Sequence, residues 1–265
     1  MTTRSCLITS LLILFLTAFA LVGINRFGTN SRVTGRTGTI QSQQIDKKLV
    51  DDPKEAYRIW RDAGYRGRTI VFIADRWESF DPGELIPAQM FRAYPLQLYN
   101  TAKLMEDDYL NGITFLYVAS LNKIIRKIVM IAPESEVSRM KVSAAKAKDS
   151  SVSEKEVFIS RQGFPRWYTT AAHFSAVKEP VLLYIGASYF KHMQPEELFR
   201  LLSASGLQAD SVILCREKGK DSVSEQELIK LSRFAALIGV TLPSAGTDSM
   251  THPTRTLQQN QAHAL

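Results

Sequence analysis

The chain predicts an α/β domain: a mostly parallel sheet with helices on both faces, three layers in all, preceded by one N-terminal transmembrane helix. Three observations lead there. Short unbroken apolar runs recur at 69–74 (TIVFIA), 127–132 (KIVMIA), 181–186 (VLLYIG) and 211–215 (SVILC), the pattern of strands buried on both faces. Helical signals separate them, and alternating strands and helices imply parallel pairing with crossovers. Upstream, Ser5 to Asn25 carries no charge, and Leu7 to Ile24 reads LITSLLILFLTAFALVGI.

About 20 such residues at ~1.5 Å each cover the ~30 Å of a bilayer core. Residues 1–25 are therefore a membrane anchor or a signal sequence. Arg4 and the tripeptide Ala18-Phe19-Ala20 would suit a signal peptidase. The apolar run continues through Leu21, Val22 and Ile24, which favours an uncleaved anchor. Arg26, Arg32 and Arg36 follow it with no acid before Asp46, and basic residues tend to stay in the cytoplasm. The very short N-terminal tail argues the other way, for an exported domain, and the expectation is a single-pass protein with its domain outside.

Residues 26–52 are rich in Gly, Ser, Thr, Gln and Arg and read as a flexible basic linker. The domain is expected over 53–242. Pro53–Asp62 forms an amphipathic helix with Tyr57 and Trp60 on one face. The first strand follows at 69–74. Gln89–Met105 predicts a helix interrupted near Pro95, and Tyr109–Leu121 a second one. The strand at 127–132 halts at Pro133. Residues 141–155 read as an exposed loop or frayed helix, and Glu156–Ser160 as a short strand. After 181–186, Pro195 opens a helix with Glu196 and Glu197 at its positive end, and Gly206 stops it. Beyond 211–215, Ser224 and Glu227 have capping-box spacing for a helix ending at Gly239. Residues 243–265 lack an apolar period and are expected to be a disordered tail.

The net charge of +7 is concentrated upstream, because residues 1–68 hold 11 Lys+Arg against 5 Asp+Glu. The domain itself is nearly neutral, which excludes the basic stripe that nucleic-acid binding needs. The expected partners are instead the membrane, through residues 7–24, and a protein partner in the envelope. Cys6 and Cys215 are too differently placed to pair, and Cys215 reads as a buried thiol. No GxGxxG or GxxxxGK[ST] phosphate loop occurs, so no cofactor is expected, and without HExxH or CxxC a structural zinc site is not expected either.

Sites in open α/β sheets collect at the carboxyl ends of strands. After the first strand come Asp75, Glu78, Asp81 and Glu84, acids that could serve as metal ligands or proton carriers. The same residues also suit a polar loop, with Asp81-Pro82-Gly83 as turn chemistry. After 181–186 stand Ser188, Tyr189 and His192, and Ser188 lacks the G-x-S-x-G context of a nucleophile elbow. His173 has no spaced partner. These residues, Asp75, Glu78, Asp81, His173, Ser188, Tyr189 and His192, are the candidate pocket.

Two stretches resemble the arginase and deacetylase-like hydrolases. Asp107–Pro133 is similar to their helix-then-strand segment, and Glu179–Leu202 to the strand carrying D-x-D-Y-F and its Pro-initiated helix. The resemblance spans roughly residues 66–240 and implies a dinuclear metal centre held by strand-end aspartates. This chain has Gly186 and Ser188 at those positions, and neither is a carboxylate able to bridge two cations. It thus implies a pseudoenzyme, a hydrolase-like domain that has lost its metal and keeps a binding role. An active hydrolase built on Asp75, Glu78, Asp81 and His173, and a structural component of an envelope assembly, are the alternatives.

Overall fold

The structure is a computed structural model and describes residues 37–75, 110–161, 164–175, 177–218 and 223–240. Among them nine strands form one sheet: β1 (Gly38–Thr39), β2 (Asp46–Val50), β3 (Arg68–Ile73), β4 (Ile125–Ile131), β5 (Ser150–Val152), β6 (Glu156–Arg161), β7 (Phe164–Thr169), β8 (Val181–Gly186) and β9 (Gln208–Cys215). Their order is β1-β9-β8-β3-β4-β7-β6-β5, and β2 also pairs with β9. The pairs among β2, β9, β8, β3, β4 and β7 are parallel, whereas β1–β9, β6–β7 and β5–β6 are antiparallel. The sheet is therefore mixed, which corrects the expectation of a mostly parallel one. Two of its antiparallel pairings follow from Phe164–Thr169, which turns the sheet over to β6 and β5, a strand whose Pro165 and Arg166 hid it in the sequence.

Among the described residues five helices pack on the sheet: α1 (Pro53–Asp62), α2 (Phe115–Leu121), α3 (Glu134–Ala144), α4 (Pro195–Ala204) and α5 (Glu225–Leu237). Alternate strand residues face opposite cores. Ile70, Phe72, Met130, Tyr184 and Ile213 join Ala56, Trp60, Phe115 and Val137 of α1, α2 and α3. Val71, Ile73, Val129, Leu183, Ile185 and Leu214 join Leu198 of α4 and Phe234 of α5. This two-sided burial explains why the strands read as unbroken apolar runs. In the first core Phe72 stacks on Tyr184 at 4.7 Å between ring centroids. Phe115 lies tilted beside both rings and beside Trp60.

The helix ends follow local chemistry. Asp52 caps α1, accepting from the Lys54 amide at 2.9 Å while Glu55 accepts from the Asp52 amide at 3.1 Å. Ser224 and Glu227 make the same reciprocal arrangement at α5. Beyond α4 the chain reverses at Gly206 with φ +70, a conformation that suits glycine.

Several expectations change. Residues 38–50 are not a linker: they supply β1 and β2, held by the buried Ile40, Ile45 and Val50. The buried Asp210 carboxylate also accepts from the Thr37 hydroxyl at 2.6 Å and pairs with Arg68. The second helix begins only at Phe115, because the Asn111 side chain accepts from the amides of Ile113 and Thr114 and forms a turn before it. Within 141–155, α3 persists to Ala144 and Ser150–Val152 pairs with β6. Residues 7–24, the proposed helix at 89–105 and the tail from 243 lie outside the described residues. Among the described residues no helix is long and apolar enough to cross a membrane.

Candidate functional site

The chain leaves β3 for β4 and β7 on one side of it, then returns to β8 on the other side and proceeds to β9. The carboxyl ends of β3 and β8 thus flank a topological switch point, the usual crevice of an open α/β sheet. Asp75 stands just after β3. Beyond β8 a single tight turn, Ala187–Lys191, carries Ser188, and His192 follows it.

Side chains join these ends. His192 Nε2 lies 2.6 Å from Asp75 Oδ1. The Asp75 amide donates to Ser188 Oγ at 3.3 Å, and the Ser188 amide donates to Glu217 Oε2 at 2.8 Å. Glu217 stands beyond β9, so the ends of three neighbouring strands are tied in one chain of contacts. The His192 and Asp75 side chains keep 36% and 23% of their accessible surface, enough to meet a solute. Ser188 and Glu217 are buried beneath them.

Glu217 was missed in the sequence. It has φ +53, a left-handed conformation that costs a non-glycine residue roughly 1–2 kcal/mol. Its amide donates to the Cys215 sulfur at 3.4 Å, and its side chain faces the Gly186 backbone so closely that a Cβ there would lie 2.7 Å from Oε2. The only available sequence signal was a glutamate two residues past a buried strand, which also describes an ordinary loop.

Of the sequence candidates, Asp75, Ser188 and His192 come together. Tyr189 does not belong to the crevice: it points into the second core, and burial, with Glu197 nearby, pushes its phenol well above the ordinary value. His173 stands elsewhere, after β7, in a separate groove of about 660 Å³ that Asp75 does not line. Glu78 and Asp81 lie outside the described residues. Under the crevice, burial pushes the Cys215 thiol up to about 12 and holds the Tyr184 phenol well above its ordinary value. Both stay protonated at neutral pH and act as packing.

Chemically, the crevice offers one imidazole–carboxylate pair that can accept, hold or return a proton. Ser188 Oγ accepts from the Asp75 amide, and the residue is buried. Among the described residues no group of three or more His, Cys, Asp and Glu side chains is placed to hold a metal ion. Comparison with known protein families, with characterised proteins and with solved structures finds no match for this chain.

Proposed function

We propose that the protein is a membrane-anchored α/β binding domain whose ligand sits at the switch-point crevice against His192 and Asp75. The observation that carries this reading is the 2.6 Å contact between those two side chains across the ends of β3 and β8. It supplies a directional polar pair over the buried Ser188 and Glu217, the kind of feature that orients a small ligand. The resemblance to arginase-like hydrolases adds a descent in which Gly186 and Ser188 have replaced metal-binding aspartates, leaving a pseudoenzyme. Residues 7–24 tether the domain to the membrane and export it, where a protein partner of the envelope is the remaining class of contact.

A hydrolase is the second reading, favoured by the accessibility of the same pair, since an imidazole held by a carboxylate is a ready general base. The full chain, reconstituted in nanodiscs, separates the two. We expect no turnover of p-nitrophenyl acetate or p-nitrophenyl phosphate above the His192→Ala variant. Turnover lost in both His192→Ala and Asp75→Asn would overturn the binding reading in favour of the hydrolase.

A further inference from the structure

The second face of the sheet is covered unevenly. α4 and α5 share a core with β3, β8 and β9, and neither helix lines the groove of about 660 Å³ over β4, β7 and the start of β6. That volume is typical of a small-molecule site. Its floor holds Val129 and Trp167, which are direct cross-strand neighbours, and the Trp167 ring continues onto Phe158 at 4.7 Å. Phe174 and Val177 pack partly buried beside this floor.

Register gives the groove two unlike ends. Lys127 is level with Thr69, and Thr69 with Val181, so Lys178, three residues before Val181, stands at the same amino end as Lys127. Glu156 is level with Thr169, and Thr169 with Ile131, so Glu156, with the adjoining Lys155 and Glu154, marks the carboxyl end. Four residues of strand separate the two levels, about 13 Å. The Lys127 ammonium rests over the Trp167 ring at 4.4 Å from its centroid, and among the described residues neither Lys127 nor Lys178 has a carboxylate partner. Lys127 and Trp167 are both half-buried, and an ammonium on an aromatic face there gains roughly 1–2 kcal/mol, less than a well-placed anion would give it.

We infer that this groove binds an elongated aromatic monoanion, with its ring on Trp167 and its charged head between Lys127 and Lys178. At the far end Glu154 and Glu156 outweigh Lys155 by one negative charge, which disfavours a second anionic group, so the site selects ligands charged at one end only. This site is separate from the His192–Asp75 crevice, and His173 lies on its rim, not in that crevice.

The test is calorimetric titration of the full chain in nanodiscs with cinnamate, neutral cinnamamide and the dianion p-carboxycinnamate, with empty nanodiscs as reference. Cinnamate should bind more tightly than either relative. A Lys127→Gln/Lys178→Gln variant should weaken cinnamate about tenfold while leaving cinnamamide unchanged. Trp167→Leu should weaken both, and His192→Ala neither. The inference fails if cinnamate does not bind, if cinnamamide or the dianion binds equally well, or if the lysine variant binds cinnamate normally.

Discussion

The Glu217 carboxylate occupies the space that any side chain at Gly186 would need. A Cβ built on Gly186 would stand 2.7 Å from Oε2 and 2.8 Å from the carboxyl carbon, and the same Oε2 accepts the Ser188 amide. Glycine at the end of β8 is thus a packing requirement of this chain, set by a residue 31 positions further on.

Gly186→Ala should therefore destabilise the domain by about 1–3 kcal/mol, the usual cost of overpacking a closed site. Glu217→Ala removes the obstacle, so the double variant should lose less than the two single variants together. Urea unfolding of the four proteins measures the coupling. Strict additivity would mean the two residues do not share this space.

Replacing Ile185 with Asp should unfold the domain. Ile185 is fully buried in β8 between Ile73 of β3 and Leu214 of β9, and nothing there could partner a carboxylate. Circular dichroism and solubility are the readouts. A soluble variant with an unchanged melting temperature would contradict the placement.

The Cys215 thiol should resist alkylation in the folded protein and make stability fall at high pH. Burial raises it from an ordinary 9.0 to about 12. A raised folded value contributes fully below the unfolded value and is lost as pH rises toward the folded one, so the loss begins near 9 and runs toward 12. Tyr65, raised by burial from 10.0 to about 12, adds to the upper part of that window. In Cys215→Ala the alkaline fall should be shallower, while below pH 8 the two proteins should show parallel profiles. An alkaline limb of unchanged slope would rule the thiol out as its source.

Ser224→Ala should cost about 1 kcal/mol, the usual worth of an N-cap. It should also alter the acid limb. The Ser224 hydroxyl, as the largest cause, holds the Glu227 carboxyl below its ordinary 4.5. That contribution is present above 4.5 and lost as pH falls below it, so the variant and the parent should converge in acid. A constant difference down to pH 2 would argue against the capping box.

Much of the domain was legible because its signals are local. Pro53–Asp62 announces itself by Tyr57 and Trp60 on one helical face, and α5 by Ser224 and Glu227, since helical period and caps act within a few turns of chain. The runs around Ile70, Val129, Leu183 and Val212 read as strands because two-sided burial forces every residue to be apolar. The same logic placed Asp75, Ser188 and His192 at strand ends. Residues 38–50 and Phe164–Thr169 were illegible for the converse reason: their polar residues and Pro165 fit edge and antiparallel pairing, where one face or one edge tolerates them.

By itself, then, the sequence determined the α/β class, the apolar N-terminal segment, the four central strands and the ends of α1, α4 and α5, all properties of neighbouring residues, while α3 and the start of α2 escaped it. Only the tertiary structure decided that β3 and β8 are adjacent, and therefore that Asp75 meets His192 across 117 positions. It likewise placed Glu217 beneath Ser188, sent Tyr189 into the core and put His173 in a different groove. Strand order is set by how whole faces pack together, and no spacing along a chain records which distant ends that packing will bring into contact.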